Sequence, residues 1–481
     1  MRWRPRHTRG CLTELKRNAH GRATRSAGMK ALGRLPASAL LPADDAQILA
    51  VVTVRKVTRR LIPFLFVLYI AAWLDRVNVG FAALHMNSDL GFSSAAFGFG
   101  SGVFFLGYCL FEVPSNLILD RVGARLWIAR IMLSWGLIAS AMMFVRTPWS
   151  FYVLRFLLGV AEAGFFPGIV YYLSGWYPRA QRARAIAAFM MAIPVAGLIG
   201  GPLSGALLGL NGVYGLAGWQ WLFFLQGIPS VLLGLLVLVF LTDRPEDAQW
   251  LAPAERGWLV AQLSAERQAC VAAHPIGAIA ALTNGTVWRL GSIFFLANVG
   301  FSAYSIWSPQ IIESFAGAND LRVGLISGAI SAVTIVGMVL NSAHSDRTGE
   351  RPLHVAIPLL LMGAGFVATT VLGVSGLALV TLALVPIGIG AAYGPFWSMP
   401  TLFLTGEAAA GGIALVATIV NVGWFVGPTL VGILKGGTGG YSLGFVLFGG
   451  AVGAASLLTL TLRRGGTLAP LRRTPPPEGA G

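Results

Sequence analysis

Charge is what this chain of 481 residues has least of: Asp, Glu, Lys and Arg make up 11% of it, against 56% hydrophobic residues. A water-soluble protein of this size carries roughly 25% charged residues, so a soluble globular domain is excluded. Cysteine is scarce too. Cys11, Cys109 and Cys270 have no partners at metal-ligand spacing, and all three read as free thiols. Histidines are few and scattered: His344 and His354 flank a loop, and His85 lies at a helix end, so no metal site is expected. No glycine-rich string has the context of a phosphate cradle, which disfavours ATP-driven transport. No nucleophile–base constellation is visible, so the chain is not read as an enzyme, and no cofactor is expected.

What is present is a series of apolar runs about 20 residues long, each enough to span a bilayer as a helix. The alternation of a membrane β-barrel is missing. The expected fold is all-α and polytopic, with twelve transmembrane helices in two pseudo-symmetric six-helix halves. The spans are placed at about 61–83, 95–118, 126–145, 148–173, 185–210 and 220–241, then 288–312, 321–344, 353–373, 377–402, 409–434 and 441–462. This divides the chain into a basic tail (1–60), a first half (61–241), a central loop (242–287), a second half (288–462) and a short tail (463–481). The first tail has a composition compatible with an organelle-type targeting peptide, but the favoured reading is a loose cytoplasmic tail, or translation begun ahead of a true start at Met29.

The net charge of +16 is a matter of location, not of nucleic-acid binding. Arg and Lys cluster in the tails and in alternate loops, while the opposite loops hold little beyond Arg146, Arg322 and Lys435. By the positive-inside rule both termini are cytoplasmic. The bilayer itself is an expected partner, through anionic headgroups.

The chain repeats itself. After the second span it reads Asp120-Arg121-Val122-Gly123-Ala124-Arg125; after the eighth, Asp346-Arg347-Thr348-Gly349-Glu350-Arg351. The shared pattern D-R-x-G-x-R supplies caps, a tight turn, and charges able to pair between halves. Two parallel six-helix halves around a central site is a transporter arrangement.

Against this background a few charges inside spans stand out. Asp75 and Arg76 sit side by side in the first span, and Arg155 and Glu162 in the fourth. Each costs roughly 2.5–3.5 kcal/mol at the membrane centre, so each should face protein, water or ligand. One alternative is that Asp75 lies near a helix end and snorkels; another is a purely structural ion network. Asp75 and Glu162 are the candidates for taking and releasing protons, since nearby Arg and apolar surroundings pull a carboxyl in opposite directions. Arg155 and Glu162, seven apart, share a helix face but are too distant to pair, so each should find its partner on another helix. Arg76 offers a planar fork for a substrate carboxylate. Arg155 either binds the anion or holds Glu162. Tyr108 is a candidate hydroxyl donor, Asn78 a helix–helix hydrogen bonder, and Glu112 an anchor of the loop network.

These motifs resemble the major facilitator superfamily, with Asn116 and Ser342 where the usual loop motif opens on glycine. Five pieces resemble its anion:cation symporter family: LDRVNVGFA (74–82), FEVPSNLILDRVGARLWIARIM (111–132), LRFLLGVAEAGFFPG (154–168), the region 194–205, and LTDRPEDAQWLAPAERGWL (241–259). The look is closest to carriers of tartrate, 4-hydroxyphenylacetate and phthalate. The resemblance implies a proton-coupled symporter of a small organic anion, with alternating access, in the bacterial inner membrane, as a monomer. It also implies coupling and binding roles for Asp75, Arg76 and Glu162. The family-like segments GPFWSMPT and NVGWFVGP single out Ser398, Thr401 and Asn421 in the second half as substrate contacts. Rival readings are a drug–proton antiporter, which the central Arg76 opposes, and a non-transporting membrane sensor, which would have lost Asp75 or Glu162.

Overall fold

A computed structural model describes residues 43–272, 283–373, 375–400 and 406–464. Among them are fifteen α-helices and no strand. They are α1 (Ala43–Asp89), α2 (Ser94–Val122), α3 (Ala124–Ala141), α4 (Pro148–Glu162), α5 (Phe165–Ser174), α6 (Arg179–Met190), α7 (Ala192–Leu208) and α8 (Gly218–Phe240). After them come α9 (Pro253–Ala272), α10 (Gly285–Ala316), α11 (Asp320–Thr348), α12 (Pro352–Leu372), α13 (Gly376–Ser398), α14 (Gly406–Thr438) and α15 (Ser442–Arg464). Twelve crossings are long and apolar enough to span a membrane; α4 with α5, and α6 with α7, each make one.

Two crossings depart from the uninterrupted helices expected. The fourth breaks at Ala163–Gly164, directly after Glu162, where Gly164 takes a left-handed conformation (φ 85°). A side chain there would also collide with Ser115 Oγ. The fifth is interrupted at Met191, between α6 and α7. The first crossing is longer than expected. α1 begins at Ala43 and takes in the basic stretch Arg55–Arg60 that the sequence assigned to the tail.

The central loop explains that extension. It folds into α9, which lies against the first half with Leu259 and Leu263 buried, while Trp250 stacks on Trp176 at 5.5 Å. Lys56 Nζ of α1 donates to Glu255 Oε1 at 2.5 Å, and the Ala252 N–H donates to Glu255 Oε2. Burial opposes the charge on Glu255, but the bonds from Lys56 and Ala252 outweigh it and hold the carboxyl below its usual value. A carboxyl with lowered proton affinity stabilises the fold above its unfolded value, and that gain is lost as pH falls through the folded one. In melting curves taken from pH 7 downward, Glu255→Gln is therefore expected to start less stable than the parent and to converge with it in acid; parallel curves would reject this contribution.

The two halves meet along three helix pairs: α1 with α10, α2 with α14, and α7 with α11. Glycine permits the approach. A Cβ on Gly80 would lie 2.5 Å from the Ile306 carbonyl oxygen, and one on Gly98 the same distance from that of Pro428. A Cβ on Gly201 would lie 2.5 Å from the Gly324 oxygen, and on Gly205 2.4 Å from that of Asp320. These contacts lie toward the end of the bundle opposite α9, here called the far side. His85, at the helix end where the sequence placed it, bridges the halves there. Its Nε2 lies 2.9 Å from both carboxylate oxygens of Asp320. The seam is closed on the far side.

Candidate functional site

The helix break after Glu162 places that acid at the C-terminal end of α4, where the helix dipole disfavours a negative charge. Arg76, reaching across from α1, offsets this: its Nε donates to Glu162 Oε1 at 2.6 Å. Glu162 is buried and Arg76 nearly so, with 13% of its side chain exposed. The guanidinium is surrounded by aromatic rings, with Tyr108 at 5.1 Å, Trp73 at 5.5 Å and Phe104 at 5.9 Å from their centroids. Its Nη2 is buried and has no hydrogen-bond partner among the described residues. The ion pair thus leaves both N–H donors of Nη2 unused.

Asp75, next along the helix, faces a different way. Successive helical residues point about 100° apart, and Asp75 turns into the first half between α3 and α8. Its Oδ2 accepts from Trp135 Nε1 at 2.7 Å and from Ser230 Oγ at 2.9 Å. Only 2% of the residue is exposed. The snorkelling alternative is excluded, and the adjacent acid and base do not act as one pair. Asn78 does not bond another helix as expected: its Nδ2 donates to Asp75 Oδ1 on its own helix, at a long 3.4 Å. Three residues is less than one turn, which brings the two back onto neighbouring faces.

Arg155 and Glu162 find their partners on other helices, as their spacing requires. Arg155 Nη2 donates to the Ser101 carbonyl at 3.1 Å, and its guanidinium lies over Phe104 at 4.9 Å. With 1% exposure it packs inside the first half against α2, where no bond joins it to Glu162 among those described. Glu112 does not join the loop network. Its carboxyl lies instead near the Asn421 side chain, across the seam between halves. A polar residue halfway along a helix contacts whatever the opposite half presents, which the sequence cannot show.

The second half contributes mostly aromatic and neutral polar groups. Trp424 touches Trp73 at 6.0 Å and Phe105 at 5.1 Å in the first half, and Phe301 at 5.5 Å in its own. Tyr393 donates to Asn298 Oδ1 at 3.2 Å. Ser398 Oγ bonds back to the Pro395 carbonyl at 2.7 Å. Thr401 lies outside the described residues. Sequence reasoning missed Trp135, Ser230, Asn298 and Trp424. Indole N–H groups and single hydroxyls in apolar runs look like packing residues until a buried acceptor appears beside them.

The loop motifs hold each half together, and among the described residues they make no ion pair between halves. In the first, Gly123 takes φ 98°, Asp120 accepts from the Tyr171 hydroxyl, and the Arg125 N–H donates to Asp243 Oδ1 at 2.8 Å. In the second, Gly349 takes φ 69° and Arg351 pairs with Asp346 at 2.7 Å. Arg121 and Arg347 are exposed. Among the described residues no cluster of three or more metal-ligating side chains occurs.

The sequence profile of the Major Facilitator Superfamily matches residues 65–428. The chain belongs to the major facilitator superfamily. It is 49% identical over 424 residues to a protein of Agrobacterium vitis provisionally named a tartrate transporter, covering 87% of this chain and 97% of that one. It is 42% identical to a Pseudomonas putida protein provisionally named metabolite transport protein NicT, covering 85% and 93%. These relatives accord with the anion:cation symporter resemblance. The solved structure of the xylose transporter XylE from E. coli, in a partially occluded inward-open conformation, superposes with a TM-score of 0.67 at 13% identity, over 88% of this chain and 99% of that one. It establishes the shared fold. This facilitator is accordingly a multi-pass bacterial membrane transporter.

Proposed function

We propose that this facilitator is a proton-coupled symporter that imports a tartrate-like hydroxy acid across the bacterial inner membrane by alternating access. One observation carries the reading: the buried Arg76–Glu162 pair, in which Arg76 keeps an unpartnered Nη2. A guanidinium with a spare donor binds a carboxylate without first surrendering its salt bridge. Protonation of Glu162 then frees the whole fork, so anion and proton favour each other's binding. Such mutual preference is what coupling requires. The provisional tartrate name of a relative 49% identical supports a hydroxy acid as cargo. Tyr108, whose ring centroid lies 5.1 Å from the guanidinium, and Asn421, near Glu112 across the seam, are candidates to read its hydroxyls. Aromatic carboxylates are the second class to assay, because Trp73, Phe105, Phe301 and Trp424 line the same junction.

The basic tails and the α9 face are cytoplasmic in this reading, by the positive-inside rule. The closed far side then faces outward, and the conformation is one that receives or releases cargo from the cytoplasm. The protein works as a monomer, each chain holding a full pair of halves. In proteoliposomes, an acid exterior is expected to drive accumulation of labelled tartrate, and a protonophore to abolish it. Uptake indifferent to both the pH gradient and the protonophore would remove the coupling.

A further inference from the structure

Asp75 is dressed for one protonation state. Trp135, Ser230 and Asn78 all donate to it, as suits a carboxylate, which only accepts. The charged group that acts on it is Glu162 on α4, and Arg76 is its neighbour along α1, whereas α3 and α8 present the uncharged Trp135 and Ser230. No ion pair is made by Asp75 among the described residues.

A protonated Asp75 needs an acceptor for its own O–H, because a buried donor left unmade is costly. An indole N–H cannot accept. A serine hydroxyl can do either, by rotating its hydrogen about the Cβ–Oγ bond. The rotated hydrogen also has somewhere to go. A helical serine reaches the carbonyls one turn back, and Gln226, four residues earlier on α8, has a buried Oε1 with no partner. Gln226 is itself held by its Nε2, which donates to Ser204 Oγ at 3.0 Å.

We propose that Ser230 is the positioning residue that lets Asp75 hold either a charge or a proton. In the charged state Ser230 donates to Asp75 Oδ2. When a proton arrives on Oδ2, that O–H donates to Ser230 Oγ, and the serine hydrogen turns to an acceptor on α8. Trp135 keeps its contact in both states. Release reverses the steps, and no other bond is made or broken. The inference rests on the proton-coupling reading of Asp75.

Infrared difference spectra of the purified protein in lipid, recorded on acidification, test it. The protonated-carboxyl stretch that disappears in Asp75→Asn belongs to this group. Trp135→Phe is expected to keep that band, Ser230→Ala to lose most of it, and Ser230→Thr to restore it. In proteoliposomes, Ser230→Ala should lose gradient-driven uptake by about tenfold or more, the effect of one unmade buried hydrogen bond, while exchange of substrate without a gradient continues. An undiminished band in Ser230→Ala overturns the proposal, as does equal loss in Trp135→Phe. Loss of exchange together with drive, unrestored by threonine, assigns the serine to packing and also overturns it. If Asp75→Asn shows no missing band, Asp75 does not titrate and the proposal falls. If Asp75→Asn keeps gradient-driven uptake, its coupling reading fails separately, whatever the infrared spectra show for Ser230.

Discussion

Arg76→Ala is expected to abolish uptake and to lower the melting temperature more than any other single change at the site. It leaves Glu162 buried at a helix C-terminus with its only ion-pair partner among the described residues removed. Removing one member of a buried pair costs about 3–5 kcal/mol, chiefly because the other charge is stranded. The double variant Arg76→Ala/Glu162→Gln should therefore recover much of the stability without recovering transport. That separation is the point of the experiment, since it assigns the stability effect to the stranded acid and the transport effect to the lost fork. Arg76→Lys keeps the charge and should fold, but it loses the bidentate geometry and with it most affinity for the acid. A double variant no more stable than Arg76→Ala, or full binding by Arg76→Lys, would contradict this account.

The second large effect is expected at the seam. In Gly201→Leu, the new Cβ would lie 2.5 Å from the Gly324 oxygen and 3.1 Å from the Gly328 nitrogen. Neither is a flexible side chain that can step aside. Overpacking of this kind costs about 1–3 kcal/mol or more, and here the cost falls only on the state whose far side is shut. A bias of that size lowers the ratio of closed to open states by roughly five- to 150-fold. The halves should part at that end while each half stays folded. Spin labels at exposed Ser88 and Arg322, read by electron–electron resonance, should move apart, and net uptake should fall with them. An unchanged label distance would show that the seam tolerates the side chain.

Much of the architecture was legible from hydropathy, because a bilayer forces every backbone polar group into helices and the apolar runs have to match its thickness. Arg76 and Glu162 were legible for the same reason in reverse, since charge in oil is rare enough to mean something. Their direct bond was not, because nothing in either segment says which way a helix rotates against its neighbour. Asp75 shows the limit most plainly. It sits beside Arg76 in sequence and faces the other way in space, toward Trp135 and Ser230, which carry no mark distinguishing them from packing residues. The break after Glu162 had a trace in Gly164, but glycine is common in these helices and serves close packing at Gly98, Gly107 and Gly201. The extended α1 was hidden because its stabiliser, Glu255, lies some two hundred residues away.

The four charged side chains packed inside the first half have an electrical consequence. With both acids ionised, Asp75 and Glu162 cancel Arg76 and Arg155, two against two, so these four side chains contribute no net charge to the proposed cycle. A membrane potential acts at about 2.3 kcal/mol per charge per 100 mV, and as far as these four groups are concerned it acts only on what the carrier has picked up. A monoanion travelling with one proton is electrically silent, whereas a dianion with one proton has to climb the voltage and with three is pulled by it. The voltage dependence of the current is thus a direct count of protons against carboxylates.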